Sequence, residues 1–102
     1  MRAARLVFHV SAASELDAQY SWYHARNPVA AHAFRAEIAR GLDAILASPG
    51  RWPAYRLGTR RLVLRQFPVS IVYRFQDGDV VVLAVAHERR KPAYWTARKF
   101  TP

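Results

Sequence analysis

The stretch Val69-Ser70-Ile71-Val72-Tyr73-Arg74-Phe75-Gln76-Asp77-Gly78-Asp79-Val80-Val81-Val82-Leu83-Ala84-Val85-Ala86 decides the fold. Val69 to Phe75 and Val80 to Ala86 are both rich in β-branched and aromatic residues, which suit a pleated strand. Asp77-Gly78 between them tolerates the positive φ values of a two-residue hairpin turn, so the two arms pair antiparallel. In the second arm Val80, Val82 and Ala84 alternate with Val81, Leu83 and Val85. Apolar on both faces, that strand belongs inside a sheet, and something must cover each face.

Upstream, Arg61-Leu62-Val63-Leu64-Arg65-Gln66-Phe67 reads as a further strand. Pro68, which has no N–H to give a ladder, marks the turn into the hairpin and completes a β-meander. Leu6 to Val10 is a short apolar strand ended by Ser11, a residue type suited to cap a helix. Ala12, Leu16, Tyr20 and Tyr23 follow one helical face through Ala12–Arg26, with Glu15 and Asp17 near the end where the helix dipole favours carboxylates. Asn27-Pro28 stops this helix and starts a second, because Asn caps well and Pro suits the first helical position. There Ala30, Phe34, Ile38, Gly41, Leu42 and Ile45 keep the helical period, Arg35, Glu37, Arg40 and Asp43 are left for solvent, and Ser48-Pro49-Gly50 breaks the pattern. An αα-hairpin therefore covers one sheet face. The other is left to the C-terminal segment and is expected to be a groove for a partner.

At 102 residues the chain is one domain, residues 1–102, and its hydrophobic fraction of 52% supplies a core. Sixteen Lys and Arg against seven Asp and Glu give a formal net charge of +9, which implies a nucleic acid or an acidic protein as partner. With no cysteine, disulfides and thiolate sites are excluded. No span approaches the length of a membrane helix, and the start Met1-Arg2-Ala3-Ala4-Arg5 leads into too short an apolar run for a signal peptide, so a cytoplasmic location is expected. His9, His24, His32 and His87 show no paired ligand spacing, so no metal is expected. The glycines are isolated, so no phosphate-cradling loop and no cofactor are expected either.

The last strand runs into His87-Glu88-Arg89-Arg90-Lys91-Pro92-Ala93-Tyr94-Trp95-Thr96-Ala97-Arg98-Lys99. Arginine forks match phosphate oxygens, so this segment reads as a polyanion-binding surface. Alternatively, Tyr94 and Trp95 cap the core while the cationic stems lie over apolar surface.

The order strand, two helices, three antiparallel strands and basic tail resembles the RelE/ParE superfamily of toxins from type II toxin-antitoxin systems, a group that includes plasmid stabilisation proteins. The resemblance spans nearly the whole chain. Trp22-Tyr23, Pro49, Trp52-Pro53, Arg60-Arg61, Phe67-Pro68, Ile71, Tyr73, Ala84-Val85-Ala86-His87, Arg90, Pro92, Tyr94, Trp95 and Arg98 carry it. It implies an α+β domain with an αα-hairpin on an antiparallel sheet, and a growth-inhibiting toxin neutralised by a cognate acidic antitoxin.

Two mechanisms are implied. RelE-like members look like ribosome-dependent mRNA endonucleases, for which RNA cleavage by its own 2′-hydroxyl needs a base, cationic donors and an acid. His87 would accept the proton and Arg61, Arg65 and Arg90 would hold the phosphate. Tyr94 would complete the catalytic set, with Tyr94 or Trp95 stacking on a base. Such nucleases tend to use sheet lysines, whereas here the lysines are Lys91 and Lys99 alone. ParE-like members act on DNA gyrase, and there Arg60, Arg61, Arg89, Arg90, Lys91, Trp95 and Arg98 would bind a target without reacting, while His87 holds the chain's exit from the strand. A third reading is a non-toxic nucleic-acid-binding module with steep salt dependence.

Overall fold

The computed structural model describes residues 4–99; Met1, Arg2 and Ala3 of the basic N-terminal start lie outside them. The element order is β1 (Arg5–Phe8), α1 (Val10–Arg26), α2 (Pro28–Ala47), a 3-10 turn (Arg56–Gly58), β2 (Arg60–Val63), β3 (Val69–Gln76) and β4 (Asp79–His87). The sheet order is β1-β4-β3-β2. β2, β3 and β4 form the expected antiparallel meander, and β1 joins parallel to β4, pairing Arg5 with Asp79 through Phe8 with Val82. The sheet is therefore mixed, and the two helices lie in the long connection that a parallel β1–β4 pair requires.

Both residues of the Asp77-Gly78 turn have the positive φ expected of them, 53° and 78°. Asn27 caps α2 as expected, its side chain accepting from the amides of Val29 and Ala30 with Pro28 at the start. The cap of α1 differs. The helix starts one residue before Ser11, and the His9 ring accepts from the Ser11 amide at 3.0 Å. β2 is also shorter than the run Arg61–Phe67. The Glu37 carboxylate on α2 accepts from the amides of Arg65 and Gln66 and lifts them out of the ladder. Glu37 is thus a staple between helix and sheet, not a solvated side chain.

Strict alternation along β4 does not hold to its end. The register slips between Val72 and Tyr73, which face Ala84 and Val82, so Leu83 is an extra residue on β4. This bulge reverses the faces beyond it. Val80, Val82 and Val85 enter the core with Phe34, Ile38, Ile45, Ile71 and Tyr73 beneath the helices. Val81, Leu83 and Ala84 lie on the opposite face with Val72 and Trp95.

That second face is not an open groove. Trp95 is 2% exposed and sits on it, with Tyr55, Val7 and Tyr94 packed around the cluster. The C-terminal segment therefore supplies the missing layer, as the capping alternative required.

α2 lies close on the sheet at Gly41, where an added Cβ would meet Ile71 Cδ1 at 3.2 Å and Leu62 Cδ2 at 3.4 Å. Ala is favoured over Gly in a helix by about 1 kcal/mol, which offsets this crowding. We expect Gly41→Ala to shift urea unfolding little and Gly41→Leu to destabilise by about 1–3 kcal/mol through overpacking.

Candidate functional site

β1 ends at Phe8, so the edge of β4 beyond Val82 has no strand beside it. Side chains complete that edge. Leu83 O accepts from Arg98 at 3.0 Å, the Val85 N–H donates to Glu15 at 3.1 Å, and Val85 O accepts from Gln19 at 2.8 Å. Glu15 also accepts both arms of the Arg98 guanidinium, at 2.9 and 3.0 Å, and the Tyr94 hydroxyl at 2.6 Å. Arg90 approaches the same carboxylate at 3.8 Å and lies over the Tyr94 ring, 3.9 Å from its centroid.

Burial works against charge on Glu15. The donors Arg98, Tyr94 and the Val85 amide outweigh it and hold the carboxyl below its ordinary value. Burial and the hydrogen bond to Glu15 push the Tyr94 phenol well above the usual range.

Two cavities flank this clasp. A groove of about 620 Å³ runs between α1 and the end of β4, with Glu15, Gln19, Trp22 and Tyr23 on one wall and His87 and Arg89 on the other. Trp22 is 54% exposed there, with Arg26 stacked 3.8 Å over its ring. On the opposite sheet face a cup of about 170 Å³ gathers Tyr55, Arg61, Ser70, His87, Lys91 and Trp95. His87, Arg90 and Tyr94 line both cavities, so residues 87–94 are the partition between them.

The cup unites Arg61, His87, Arg90, Lys91, Tyr94 and Trp95 of the expected site. It does not include Arg60, which is turned to the Trp52 carbonyl at 2.6 Å, nor Arg65. Arg89 lines the groove, and Arg98 is spent on Glu15 and Leu83. Trp95 belongs to the core, so its ring faces are taken by Tyr55 and the sheet and not offered to a base. The His87 Nδ1 accepts from the Arg89 amide at 3.1 Å, which places the proton of a neutral ring on Nε2. His87 thereby secures the chain's exit from β4 by accepting from a backbone amide.

The α1 wall was missing from the sequence-based site. Its signal was the helical stripe Glu15, Gln19, Trp22, with Tyr23 beside it: a carboxylate, an amide and two aromatics on one face in a chain with few acids.

Removing the charge of Glu15 would leave Arg98, 16% exposed, without its partner. We expect Glu15→Gln to lose about 2–3 kcal/mol at neutral pH, below the fully buried case because solvent still reaches the site. A depressed carboxyl stabilises above its unfolded pKa and loses that contribution as pH falls through the folded value. Wild type should therefore lose stability steadily below the usual carboxylate range of about 4.5, in part through Glu15, and this component should be absent from the pH profile of Glu15→Gln unfolding.

Among the described residues there is no group of three or more His, Cys, Asp or Glu placed to hold a metal, and no helix long and apolar enough to cross a membrane. No curated protein matches the chain in sequence. A chain of the chromosomal ParDE toxin-antitoxin system from P. aeruginosa is similar in structure, with a TM-score of 0.73 at 22% identity, over 83% of this chain and 96% of that one. This likeness supports the two-helix, mixed-sheet architecture. The model of the ParE toxin of the type II toxin-antitoxin system, parDE, matches residues 6–92, and the chain belongs to that family of toxins.

Proposed function

We propose that this toxin arrests growth by binding its target and not by cutting RNA, and that the target is DNA gyrase, as in the ParE-like branch. The observation that carries this reading is the commitment of the acid and base to internal bonds. The Tyr94 hydroxyl donates to Glu15, and His87 Nδ1 is occupied by the Arg89 amide. A phenol pushed up by burial and by a carboxylate is a poor proton donor to a leaving oxygen. An imidazole whose free nitrogen carries the proton is not a base until its tautomer changes and the Arg89 bond is lost. Binding needs neither group to titrate.

Inducing the chain in bacteria, with pulses of labelled thymidine and labelled amino acid, tests this reading. DNA synthesis should fall promptly while translation continues, and His87→Ala should remain toxic. Prompt loss of translation, relieved by His87→Ala and Arg90→Ala, would overturn it in favour of an mRNA nuclease. No arrest at all would also overturn it.

The groove on α1 is the proposed seat of the antitoxin. It combines an apolar wall at Trp22, Tyr23 and Val85 with cations at Arg89 and Arg90, which suits an amphipathic acidic segment. Trp22→Ala should weaken antitoxin affinity by roughly 2–4 kcal/mol, the range of a central aromatic anchor, with toxicity retained. Calorimetric titration with the antitoxin measures it.

A further inference from the structure

Between Asp43 and Asp77 the chain has six arginines and no acidic residue. This segment turns through the outer side of β2. Ala54 bridges Arg60 and the Tyr55 N–H donates to Thr59 O, forming a narrow extra ribbon beside the sheet. Its tip is the 3-10 turn, where Leu57 takes φ 55° and Gly58 φ 72°. The buried Thr59 hydroxyl holds that turn closed by donating to Arg56 O at 2.6 Å.

The cations of this ribbon are stacked on its own aromatics. Arg61 and Arg56 lie 4.3 and 5.9 Å from the Tyr55 ring centroid, and Arg51 lies 5.0 Å from Trp52. Tyr55 is itself fixed against the buried Trp95, with ring centroids 6.0 Å apart. Arg74 reaches the same tip, donating to Leu57 O at 3.1 Å. Elsewhere in the fold three arginines meet carboxylates: Arg5 meets Asp79, and Arg98 and Arg90 meet Glu15. Along the ribbon no carboxylate is within reach in sequence, and the described ion pairs include none of its arginines. Leu57 stands 65% exposed at the tip among these cations.

A row of unneutralised guanidiniums, pre-oriented on rigid aromatic faces, meets a row of phosphates with little side-chain entropy to lose. We propose that the Arg51–Arg61 ribbon, with Arg74, is a docking surface for the phosphate backbone of nucleic acid, distinct from the groove on α1. Arg51 and Arg56 are its exposed outer contacts, and Arg61 joins it to the cup. Of the tail's cations Arg98 is spent internally and Arg89 and Arg90 line the groove, so the ribbon is a second basic surface. The ligand is recognised by its backbone charge, so DNA and RNA share the chemistry. The inference rests on the charge and geometry of the ribbon alone and stands whether or not gyrase is the target.

Fluorescence anisotropy of the purified full chain tests it, using a DNA duplex of about 20 base pairs and a single-stranded RNA of matched charge, each over a series of salt concentrations. Two variants are compared at equal net charge: Arg51→Gln with Arg56→Gln on the ribbon, and Arg35→Gln with Arg40→Gln on α2. For the duplex, each lost phosphate contact should flatten the plot of log K against log salt by about 0.9. The ribbon variant should thus lose nearly two in slope and bind about tenfold more weakly at low salt, while the α2 variant changes little. Parallel thermal unfolding keeps folding and binding apart. Binding of DNA but not RNA, or the reverse, would support the surface and name its ligand. Equal losses in the two variants would overturn the proposal, since net charge alone would then explain the binding, and so would no binding by wild type at low salt.

Discussion

β4 runs past the end of β1, and the backbone groups this leaves without a strand must be satisfied by something else. Buried N–H and C=O groups left unpaired cost as much as a lost hydrogen bond each. Here the substitutes are three side chains: Arg98 on Leu83 O, Glu15 on the Val85 N–H and Gln19 on Val85 O. Two come from α1 and one from the C-terminal segment, so completing one strand's edge also fixes a helix and the tail to the sheet. A carboxylate largely out of water is tolerable because four donor atoms and one more distant guanidinium converge on it.

The bulge at Leu83 belongs to the same arrangement. Without it Ala84 would face the helices with Val80 and Val82, and Val85 would face the tail. With it, Val85 joins the main core and Ala84 lies under Trp95. A small residue beneath a large indole lets the tail lie close on the sheet, and that closeness brings Arg98 within reach of Leu83 O. One extra residue thus sets both the core register and the position of the segment that separates groove from cup.

The elements were legible where a local rule decided them. Asp77-Gly78 demands positive φ wherever it lies, Asn27-Pro28 caps a helix from its own side chain, and the apolar period of α2 needs no partner to be read. Apart from the cap of α1, where His9 takes the place read for Ser11, the misreadings involve residues distant in sequence. Nothing near Arg65 says that Glu37 will take its amide, and nothing in Val80–Ala86 marks Leu83 as extra, because a bulge is defined by the facing strand. The site divides in the same way. Arg61, His87, Arg90 and Lys91 were legible as a basic set, whereas the fate of Arg98 and Tyr94 depended on Glu15, about eighty residues away. Trp95 could be read as a core cap or as a stacking platform, and only the second sheet face decides between them.

The clasp also bears on what chemistry this fold can perform. Tyr94 and Arg98 would be useful at a phosphate, and the cup lies beside them. Turning the Tyr94 hydroxyl to the cup would remove a donor from Glu15 at a cost of about 1–3 kcal/mol, before any reacting bond changed. The same turn would loosen the segment carrying Trp95, since Tyr94 and Arg98 hold it from either side. A residue that keeps the second sheet face covered is a poor choice for a group that must exchange a proton with substrate at every turnover. The cup retains Arg61, His87 and Lys91, a set able to hold an anion in place, while the Tyr94 hydroxyl beside it is held by Glu15.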